Sequence, residues 1–336
     1  MMTTDDMDIK FGIRKIIWSD YAHTTPVLLQ EENGPCPLIA LVNTLVLKND
    51  IETRTNQLND IENSELQIEV EKFKNQLLEQ KLISLKDLLS QVGDLLIKFN
   101  GDNKDIDKFL ESLPLLHTGL NINPNLVDGG FETDLATELF TLFNLKINHG
   151  WIYEPQDAEL NSTMTKLQNF DSVQDYLLTT DDEKLKQWLD ENSTQLTQHG
   201  LSKLNKLIDI DEFIVFFRNN HFSTLFKKGD NDFYLLLTDS SFDKKEIVWQ
   251  SIISISGKDD LFFNGEFTPI LEEGRDVAGD DDLRLIKQLQ EQEDAEYAKN
   301  LQKSYQKRKP PVKEPIKETS DKKKKERKKK GNCIIV

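Results

Sequence analysis

Of the two cysteines in the 336-residue chain, Cys36 has the surroundings that best support chemistry. It lies in QEENGPCPLIALVNTLVL, residues 30–47, where a turn-forming Asn-Gly pair runs into an almost wholly apolar segment. Such a segment predicts a buried helix, and proline is tolerated in the first turn of a helix. We therefore expect Cys36 at the N-terminus of a central helix, where the helix dipole lowers a thiol pKa and favours the thiolate.

Gln30 precedes Cys36 by six residues and carries a side-chain amide that can donate hydrogen bonds. An amide placed near the sulfur would stabilise an oxyanion that forms on a substrate carbonyl. The two residues together are typical of a cysteine protease nucleophile with its oxyanion donor. The alternative is an inert buried cysteine, which is the commoner role of a free cysteine ahead of an apolar helix.

His221 is the histidine best suited to act as the general base. It follows a strongly β-prone run, residues 213–217, after Arg218-Asn219-Asn220, and it begins a second β-prone segment. Cysteine proteases set a helix-borne thiol against a base on another element, so a strand-borne His221 fits that role. A hydrogen-bonded structural histidine is the alternative. Asp239 is a candidate for orienting the His221 ring, and a capping role in the following turn is equally open. The other histidines fall in polar or loop segments, at positions 23, 117, 149 and 199.

The elements that must position these residues follow from the spacing of apolar side chains. The predicted fold class is α+β, with the cysteine-bearing central helix packed on an antiparallel sheet that carries the histidine. The pattern predicts strands at 11–18, 146–153 (broken by a turn), 213–217, 221–226, 233–237 and 248–249, a break at 23–26, a loop region at 114–131, and helices within 62–99, 132–143 and 172–206.

The charge of the chain restricts its function. A formal net charge of -17 disfavours a general nucleic-acid binder, because phosphate neutralisation needs a basic surface. The histidines show no metal-ligand spacing with each other or with cysteine, so neither a metal nor another cofactor is expected. The N-terminus lacks the features of a secretory signal, and no run of about 18 apolar residues predicts a transmembrane helix. We expect a cytoplasmic monomer in a reducing compartment.

The C-terminal tail has the features of a membrane anchor. Residues 321–330 hold eight basic and two acidic side chains, and the chain ends in Cys333, two isoleucines and a valine. This ending is typical of a prenylation signal, and a polybasic run supplies a second attraction to an anionic membrane surface. The terminal valine leaves farnesyl and geranylgeranyl both open. A chance C-terminal cysteine is the alternative.

Four segments of the chain contain specific motifs. They are QEENGPCPLIALVNTLVL at 30–47, HGWIYEP at 149–155, VFFRNNHFSTLFK at 215–227 and LLLTDSSF at 235–242. Together they resemble the MINDY family of cysteine deubiquitinases, and the resemblance extends over about 9–266. It implies a papain-like fold and cleavage of polyubiquitin linked through lysine 48 of ubiquitin. It places the nucleophile on Cys36, the general base on His221 and the oxyanion glutamine on Gln30.

The expected mechanism adds two details to these roles. The backbone N–H of Cys36 is the second expected donor to the oxyanion. Pro37 would restrict the loop that carries Cys36, which would make activity depend on substrate binding.

Ubiquitin is held through an apolar patch, so apolar side chains beside the cleft are expected to bind it. Ile122, Trp151 and Phe217 are candidates, and ordinary core positions are the alternative for each. Ala298 and Leu301 lie in a charged helical segment that is similar to the ubiquitin-interacting helices of the family. A plain solvated helix or a piece of coiled coil is the alternative for that segment.

The chain is thus predicted to divide into four parts. They are a disordered N-terminus at 1–8, a catalytic domain at 9–273, a candidate ubiquitin-interacting helix at 280–306 and a disordered polybasic tail at 307–336. Three functions remain open: a membrane-tethered deubiquitinase, a catalytically inactive ubiquitin-binding membrane adaptor of the same fold, or another papain-like acyl-transfer enzyme.

Overall fold

A computed structural model of the chain describes residues 9–270, except for 19–21, 32–33, 102, 156–157 and 258–259. The candidate helix at 280–306, with Ala298 and Leu301, and the tail with Cys333 lie outside the described residues. None of the helices within the described ranges combines the length and apolar character that crossing a bilayer requires. Helices and strands both contribute to the core, so the predicted α+β class is confirmed.

The described residues form ten helices and nine strands. The helices are α1 (Cys36–Leu58), α2 (Glu65–Leu78), α3 (Leu85–Asn100), α4 (Ile106–Ser112), α5 (Leu115–Thr118), α6 (Leu135–Thr141), α7 (Ala158–Leu167), α8 (Phe170–Thr179), α9 (Glu183–Glu191) and α10 (Gln198–Leu207). The strands are β1 (Lys10–Trp18), β2 (Ala22–Leu28), β3 (Leu82–Ser84), β4 (Ile147–His149), β5 (Glu212–Arg218), β6 (His221–Gly229), β7 (Asp232–Leu236), β8 (Trp249–Ser251) and β9 (Phe262–Phe263).

Helix α1 is the buried centre of the fold. Every residue from 37 to 47 is buried, as the apolar run predicts, and Pro37 lies within the first helical turn. The helix then continues for eleven residues beyond this run, through a polar stretch that the sequence pattern did not mark as helical. The extension persists because Asn49, Asp50 and Ile51 are also buried, and their contacts hold its first turn against the core.

The strands form two sheets, and they differ from the prediction at β2, at the unpredicted short strands β3 and β9, and in the pairing of β4. The three-stranded sheet has the order β2-β1-β3, and the six-stranded sheet runs β4-β5-β6-β7-β8-β9. Strand β2 occupies the segment where Pro26 predicted a break. It lies at the edge of its sheet, where a residue without an N–H is tolerated. The larger sheet is antiparallel except that β4 pairs with β5 in parallel, which the sequence pattern did not predict.

Helix α1 lies along β6, and the two elements advance in the same direction. Near the start of the contact, the hydroxyl of Thr224 donates to the carbonyl of Ala40 at 3.4 Å and lies 3.0 Å from the hydroxyl of Thr44. Further along both elements, Leu47 and Phe226 share one apolar cluster. The N-terminus of α1 therefore lies at the same end of the contact as the start of β6.

A buried asparagine joins α1 to the strand that leads to Gln30. Asn43 accepts a hydrogen bond from the Leu28 N–H at 2.7 Å and donates one to the Leu28 carbonyl at 3.0 Å. Leu28 is buried at the end of β2, so its backbone N–H and carbonyl both need hydrogen-bond partners. The Asn43 side chain supplies the bonds that a neighbouring strand would otherwise provide. Leu28 is two residues from Gln30, so this contact fixes the approach of the chain to the site.

Replacing Asn43 with alanine should lower the free energy of unfolding by about 2–4 kcal/mol, because two buried backbone groups lose their partners. Urea denaturation at neutral pH would measure this loss. Asn49→Ala is the matched control, since Asn49 is buried in the same helix and, within the described ranges, its side chain bonds only to the Glu71 carboxylate, at 3.3 Å. Equal losses in the two variants would contradict the assigned role of Asn43.

Candidate active site

Cys36 is the first residue of α1, as the sequence predicts. Its side chain is half-buried and packs against the main apolar cluster. Pro35 precedes the helix without a side-chain cap, and the first helical turn contains no acidic residue. The positive end of the helix dipole therefore meets no competing carboxylate within its own first turn, and it favours a negative charge on the sulfur.

Gln30 lies at the splayed ends of two sheet strands. Strands β6 and β7 pair only as far as Leu225 and Leu235. Beyond them, the Gln30 N–H donates to the Thr238 carbonyl at 2.7 Å, and the Ser240 N–H donates to the Gln30 carbonyl at 3.0 Å. The N–H of Leu237, the residue before Thr238, donates in the opposite direction, to the Val248 carbonyl next to β8. Alternate residues of an extended chain direct their backbone groups to opposite edges. Gln30 therefore pairs with the extension of β7 on the edge where β6 pairs earlier in that strand.

The carbonyl oxygen of Gly34 receives both of the donors expected to serve an oxyanion. The side-chain Nε2 of Gln30 donates to it at 3.3 Å, and the backbone N–H of Cys36 donates to it at 2.9 Å. A Cβ at position 34 would lie 2.9 Å from the Glu31 carbonyl oxygen, so glycine is the residue that fits there without a shift. Two converging donors beside a thiol form an arrangement that can bind a negatively charged oxygen.

His221 is the first residue of β6 and follows a tight turn. The turn consists of Asn219 and Asn220, both in the left-handed region with φ of 53° and 59°. Burial lowers the pKa of His221 to about 4, because desolvation penalises the charged imidazolium. The ring is thus neutral at pH 7. Within the described ranges, no group makes a hydrogen bond to this ring.

Cys36 and His221 lie at the same end of the α1–β6 contact. Cys36 is four residues, or about one helical turn, before Ala40, and His221 is three residues before Thr224. Ala40 and Thr224 are in direct contact, and the two elements run in the same direction from that point. Cys36 and His221 therefore both lie on the same side of the Ala40–Thr224 contact, each ahead of it along its own element.

The sequence profile of the family described as MINDY deubiquitinase matches residues 9–267 of the chain. The chain belongs to the MINDY deubiquitinase family. The matched range includes all the described positions of the site and ends three residues before the described part of the chain does. The predicted class of enzyme, a ubiquitin hydrolase of the cysteine deubiquitinase type, is confirmed by this membership and by the names of the relatives.

The sequence is similar to ubiquitin hydrolases of yeast and mammals. It is 34% identical over 334 residues to the ubiquitin carboxyl-terminal hydrolase MIY1 of Saccharomyces cerevisiae, covering 90% of this chain and 86% of that protein. It is 31% identical over 279 residues to the mouse ubiquitin carboxyl-terminal hydrolase MINDY-1, covering 76% of this chain and 54% of that protein. The human MINDY-1 is 30% identical over the same length.

Two side chains predicted to bind ubiquitin lie in the core of this MINDY deubiquitinase. Trp151 and Phe217 are each only 5% exposed. Trp151 stacks on Trp188 with ring centroids 6.0 Å apart, and Phe217 packs edge-on against Phe222 at 5.1 Å. Neither is available to a partner in this conformation, so the ordinary-core alternative describes them. Ile122 is partly buried against the main apolar cluster.

Asp239 caps the turn that follows the Gln30 contact. Its carboxylate accepts a hydrogen bond from the Ser241 N–H at 2.7 Å, at the start of the 3-10 turn Ser240–Phe242. Among the contacts of the described residues, this carboxylate makes no hydrogen bond to His221. The capping alternative therefore describes Asp239 in this conformation of the MINDY domain.

His149 is buried at the end of β4, opposite Phe217 of β5, a placement that the sequence pattern did not reveal. Its Nδ1 accepts from the Trp151 N–H at 3.0 Å, so Nε2 carries the proton and donates to the Gly130 carbonyl at 2.9 Å. The ring packs edge-on against Phe131, which in turn contacts Phe217 near the turn of the β5–β6 hairpin, called here the histidine hairpin. The sequence signal was the HGW motif, but its loop-like neighbours gave no indication of burial.

The stability of the MINDY domain should fall as the pH drops from about 6.5 toward 4. Burial lowers the pKa of His149 to about 4, whereas the ordinary value is 6.5. The unfolded chain therefore binds more protons in this window, and the free energy of unfolding falls by up to about 1 kcal/mol per pH unit on account of this group. Urea denaturation at pH 7, 6 and 5 would measure the slope.

The control is His149→Gln, because a glutamine amide can both donate to Gly130 and accept from Trp151 without titrating. This variant should show a shallower loss of stability with acid. An identical slope in both proteins would contradict the assignment to His149.

Proposed function

We propose that the chain hydrolyses isopeptide bonds in polyubiquitin, with Cys36 as nucleophile, His221 as general base and Gln30 as oxyanion donor. The observation that carries the proposal is the convergence of the Gln30 amide and the Cys36 N–H on one carbonyl oxygen. A papain-like arrangement of the fold belongs to the same proposal, because a thiol at a helix N-terminus is set against an imidazole at a strand start.

The reaction starts with a neutral His221 imidazole, which can accept the proton of the Cys36 thiol. His221 takes the proton from Cys36 as the sulfur attacks the carbonyl carbon of the C-terminal glycine of ubiquitin. Gln30 and the Cys36 N–H stabilise the tetrahedral oxyanion. The imidazolium then protonates the departing lysine amine, which leaves a thioester. Water, deprotonated by His221, attacks the thioester and releases the ubiquitin carboxylate and the free thiol.

The Gly34 carbonyl must leave the two donors before a substrate oxyanion can use them. In this conformation it accepts from both, so the donors are engaged within the chain itself. Pro35 and Pro37 flank Cys36 and restrict the backbone there. We propose that substrate binding supplies the free energy for this displacement, so that activity depends on engagement of ubiquitin.

The proposed preference is for chains linked through lysine 48 of ubiquitin. The test incubates the full-length protein with di-ubiquitin and longer chains of every linkage, beside Cys36→Ala. Cleavage confined to lysine-48-linked chains is the expected result. Equal cleavage of all linkages would overturn the preference alone. Binding without cleavage would favour the inactive adaptor, and neither binding nor cleavage would favour another acyl-transfer enzyme.

We further propose that the chain is tethered to the cytosolic face of a membrane by a prenyl group on Cys333. The proposal is supported by the terminal Cys-Ile-Ile-Val and by the basic run at 321–330, which would add about 1 kcal/mol of attraction per basic residue near an anionic surface.

Cys333→Ser should therefore move the protein from the membrane fraction to the soluble fraction, because a polybasic run without a lipid binds weakly in physiological salt. Cell fractionation measures this shift. Replacing the basic residues of 321–330 with glutamine should leave the protein lipidated but only partly bound. A Cys333→Ser protein that still pellets with membranes would contradict the tether, and cleavage of soluble chains should be unchanged in both variants.

A further inference from the structure

Arg218 is the last residue of β5, and its side chain makes hydrogen bonds to two other segments of the chain. Its Nε donates to the Thr194 carbonyl at 2.8 Å, and its Nη2 donates to the Ile255 carbonyl at 2.8 Å. The guanidinium thus spans two backbone acceptors on loops that are far apart in sequence. This geometry suits arginine, whose planar guanidinium holds several N–H donors in fixed directions. A lysine carries one ammonium group at the end of a flexible side chain.

The side chain of Gln195 makes a hydrogen bond to the turn that follows Arg218. Its Oε1 accepts a hydrogen bond from the Asn219 N–H at 2.8 Å. Gln195 itself has φ of 53°, a left-handed conformation that is uncommon for a residue other than glycine, and its own N–H donates to the Asn192 carbonyl at 3.0 Å. The short loop before α10 therefore presents the Thr194 carbonyl and the Gln195 amide to the same hairpin.

The held turn is the one that delivers His221. Arg218 and His221 are directly opposed across β5 and β6, and the two asparagines between them are both left-handed. This is the pattern of a two-residue type I′ hairpin turn, in which the two central residues set the direction of the chain that follows. A rotation at either asparagine would change where the His221 imidazole lies.

The His221 ring depends on this backbone for its position. Within the described ranges it makes no hydrogen bond, and the Asp239 carboxylate is committed to the Ser241 N–H instead. A catalytic base commonly has a third group that orients it through a hydrogen bond. Among the described residues, the strand start and the groups that hold the turn before it are what set the direction of the His221 side chain.

We infer that Arg218 and Gln195 are positioning residues that clamp the Asn219–Asn220 turn and thereby hold His221 against Cys36. This inference rests on the proposed role of His221. The clamp acts from the loop before α10 and from the 252–257 segment, and neither segment contains Gln30 or Gly34. Its effect is expected in the chemical step more than in substrate binding.

The test compares four variants in the full-length chain carrying Cys333→Ser, so that Cys36 is the single remaining thiol. Gln195→Ala removes the acceptor for the Asn219 N–H, and Gln195→Glu restores an acceptor of the same length. Arg218→Lys keeps the positive charge but cannot donate to the Thr194 and Ile255 carbonyls at the same time in this geometry. Arg14→Lys is the matched control, because the Arg14 guanidinium also donates to two backbone carbonyls, those of Ile247 and Lys245, without touching the hairpin.

Two measurements distinguish a loss of His221 positioning from a loss of folding stability. The first is kcat and KM on lysine-48-linked di-ubiquitin, measured beside the thermal midpoint of each variant. The second is the pH profile of Cys36 alkylation by iodoacetamide, which reports the coupling of the thiol to His221 without any ubiquitin. Gln195→Ala and Arg218→Lys should lower kcat about tenfold or more with KM changed less than about twofold, since small misplacements of a catalytic group cost this much.

In both variants the alkylation profile should move toward that of His221→Ala, whereas Gln195→Glu and Arg14→Lys should keep the parent kcat and profile. The clamp is overturned if Gln195→Glu is as slow as Gln195→Ala, or if Arg14→Lys loses as much kcat as Arg218→Lys. A parent protein that cleaves no ubiquitin chain would refute the proposed function instead, and the alkylation profiles would still decide the clamp.

Discussion

Cys36→Ala is expected to abolish cleavage of polyubiquitin, with a loss on the order of 10⁴-fold or more in kcat, as is usual when a nucleophile is removed. The side chain supplies the sulfur that forms the thioester, and a methyl group offers no substitute. Folding and ubiquitin binding should persist, since Cys36 is only half-buried and a small side chain replaces another. Gel analysis of chain cleavage and pull-down on immobilised polyubiquitin measure the two effects.

Cys333→Ser is the matched control, because it removes the other cysteine of the chain and should leave cleavage of soluble chains intact. His221→Ala should reproduce the loss seen in Cys36→Ala, since the thiol would then lack its base. Continued trimming of chains by Cys36→Ala would show that the nucleophile is assigned to the wrong residue.

Gln30→Ala should lower kcat by about 10²–10³, the usual effect of removing one oxyanion donor. The substitution deletes the Nε2 that now donates to the Gly34 carbonyl, but it leaves the backbone bonds of Gln30 to Thr238 and Ser240 in place. The loop should therefore keep its position, and the thermal midpoint should change little. Steady-state kinetics should show the loss in kcat with KM nearly unchanged, because the oxyanion exists only after attack.

A fall of less than threefold in kcat for Gln30→Ala would remove Gln30 from the site. A large fall together with a large drop in the thermal midpoint would assign Gln30 to folding. Gln30→Glu is the informative second variant, since it keeps the length of the side chain but replaces the donor with a carboxylate that repels an oxyanion. It should be at least as slow as Gln30→Ala.

The central elements of the fold could be predicted because their patterns are strong and local. An unbroken apolar run predicted the buried part of α1, and consecutive aromatic and β-branched residues predicted β5, β6 and β7. The extension of α1 to Leu58 could not be predicted, because it depends on contacts of polar residues with the core. The parallel pairing of β4 with β5 joins segments more than sixty residues apart, and a local pattern carries no information about such partners.

The site was predictable in its residue types but not in its contacts. Spacing and resemblance pointed to Cys36, Gln30 and His221. Neither indicated that the Gly34 carbonyl would accept from both expected oxyanion donors, because that depends on the three-dimensional course of the loop. Size and sequence neighbours predict Trp151 and Phe217 as binding residues, but large aromatic side chains of this kind satisfy core packing equally well, and both are buried.

The most direct measurement of the central claim is covalent capture by ubiquitin that carries an electrophile in place of its C-terminal carboxylate. The full-length protein should form one adduct, and peptide mass spectrometry should locate it on Cys36. The Cys36→Ala protein should form none, and the Gln30→Ala protein should react more slowly. An adduct on Cys333, or the absence of any adduct in a protein that still cleaves chains, would contradict the assignment of Cys36 as the nucleophile.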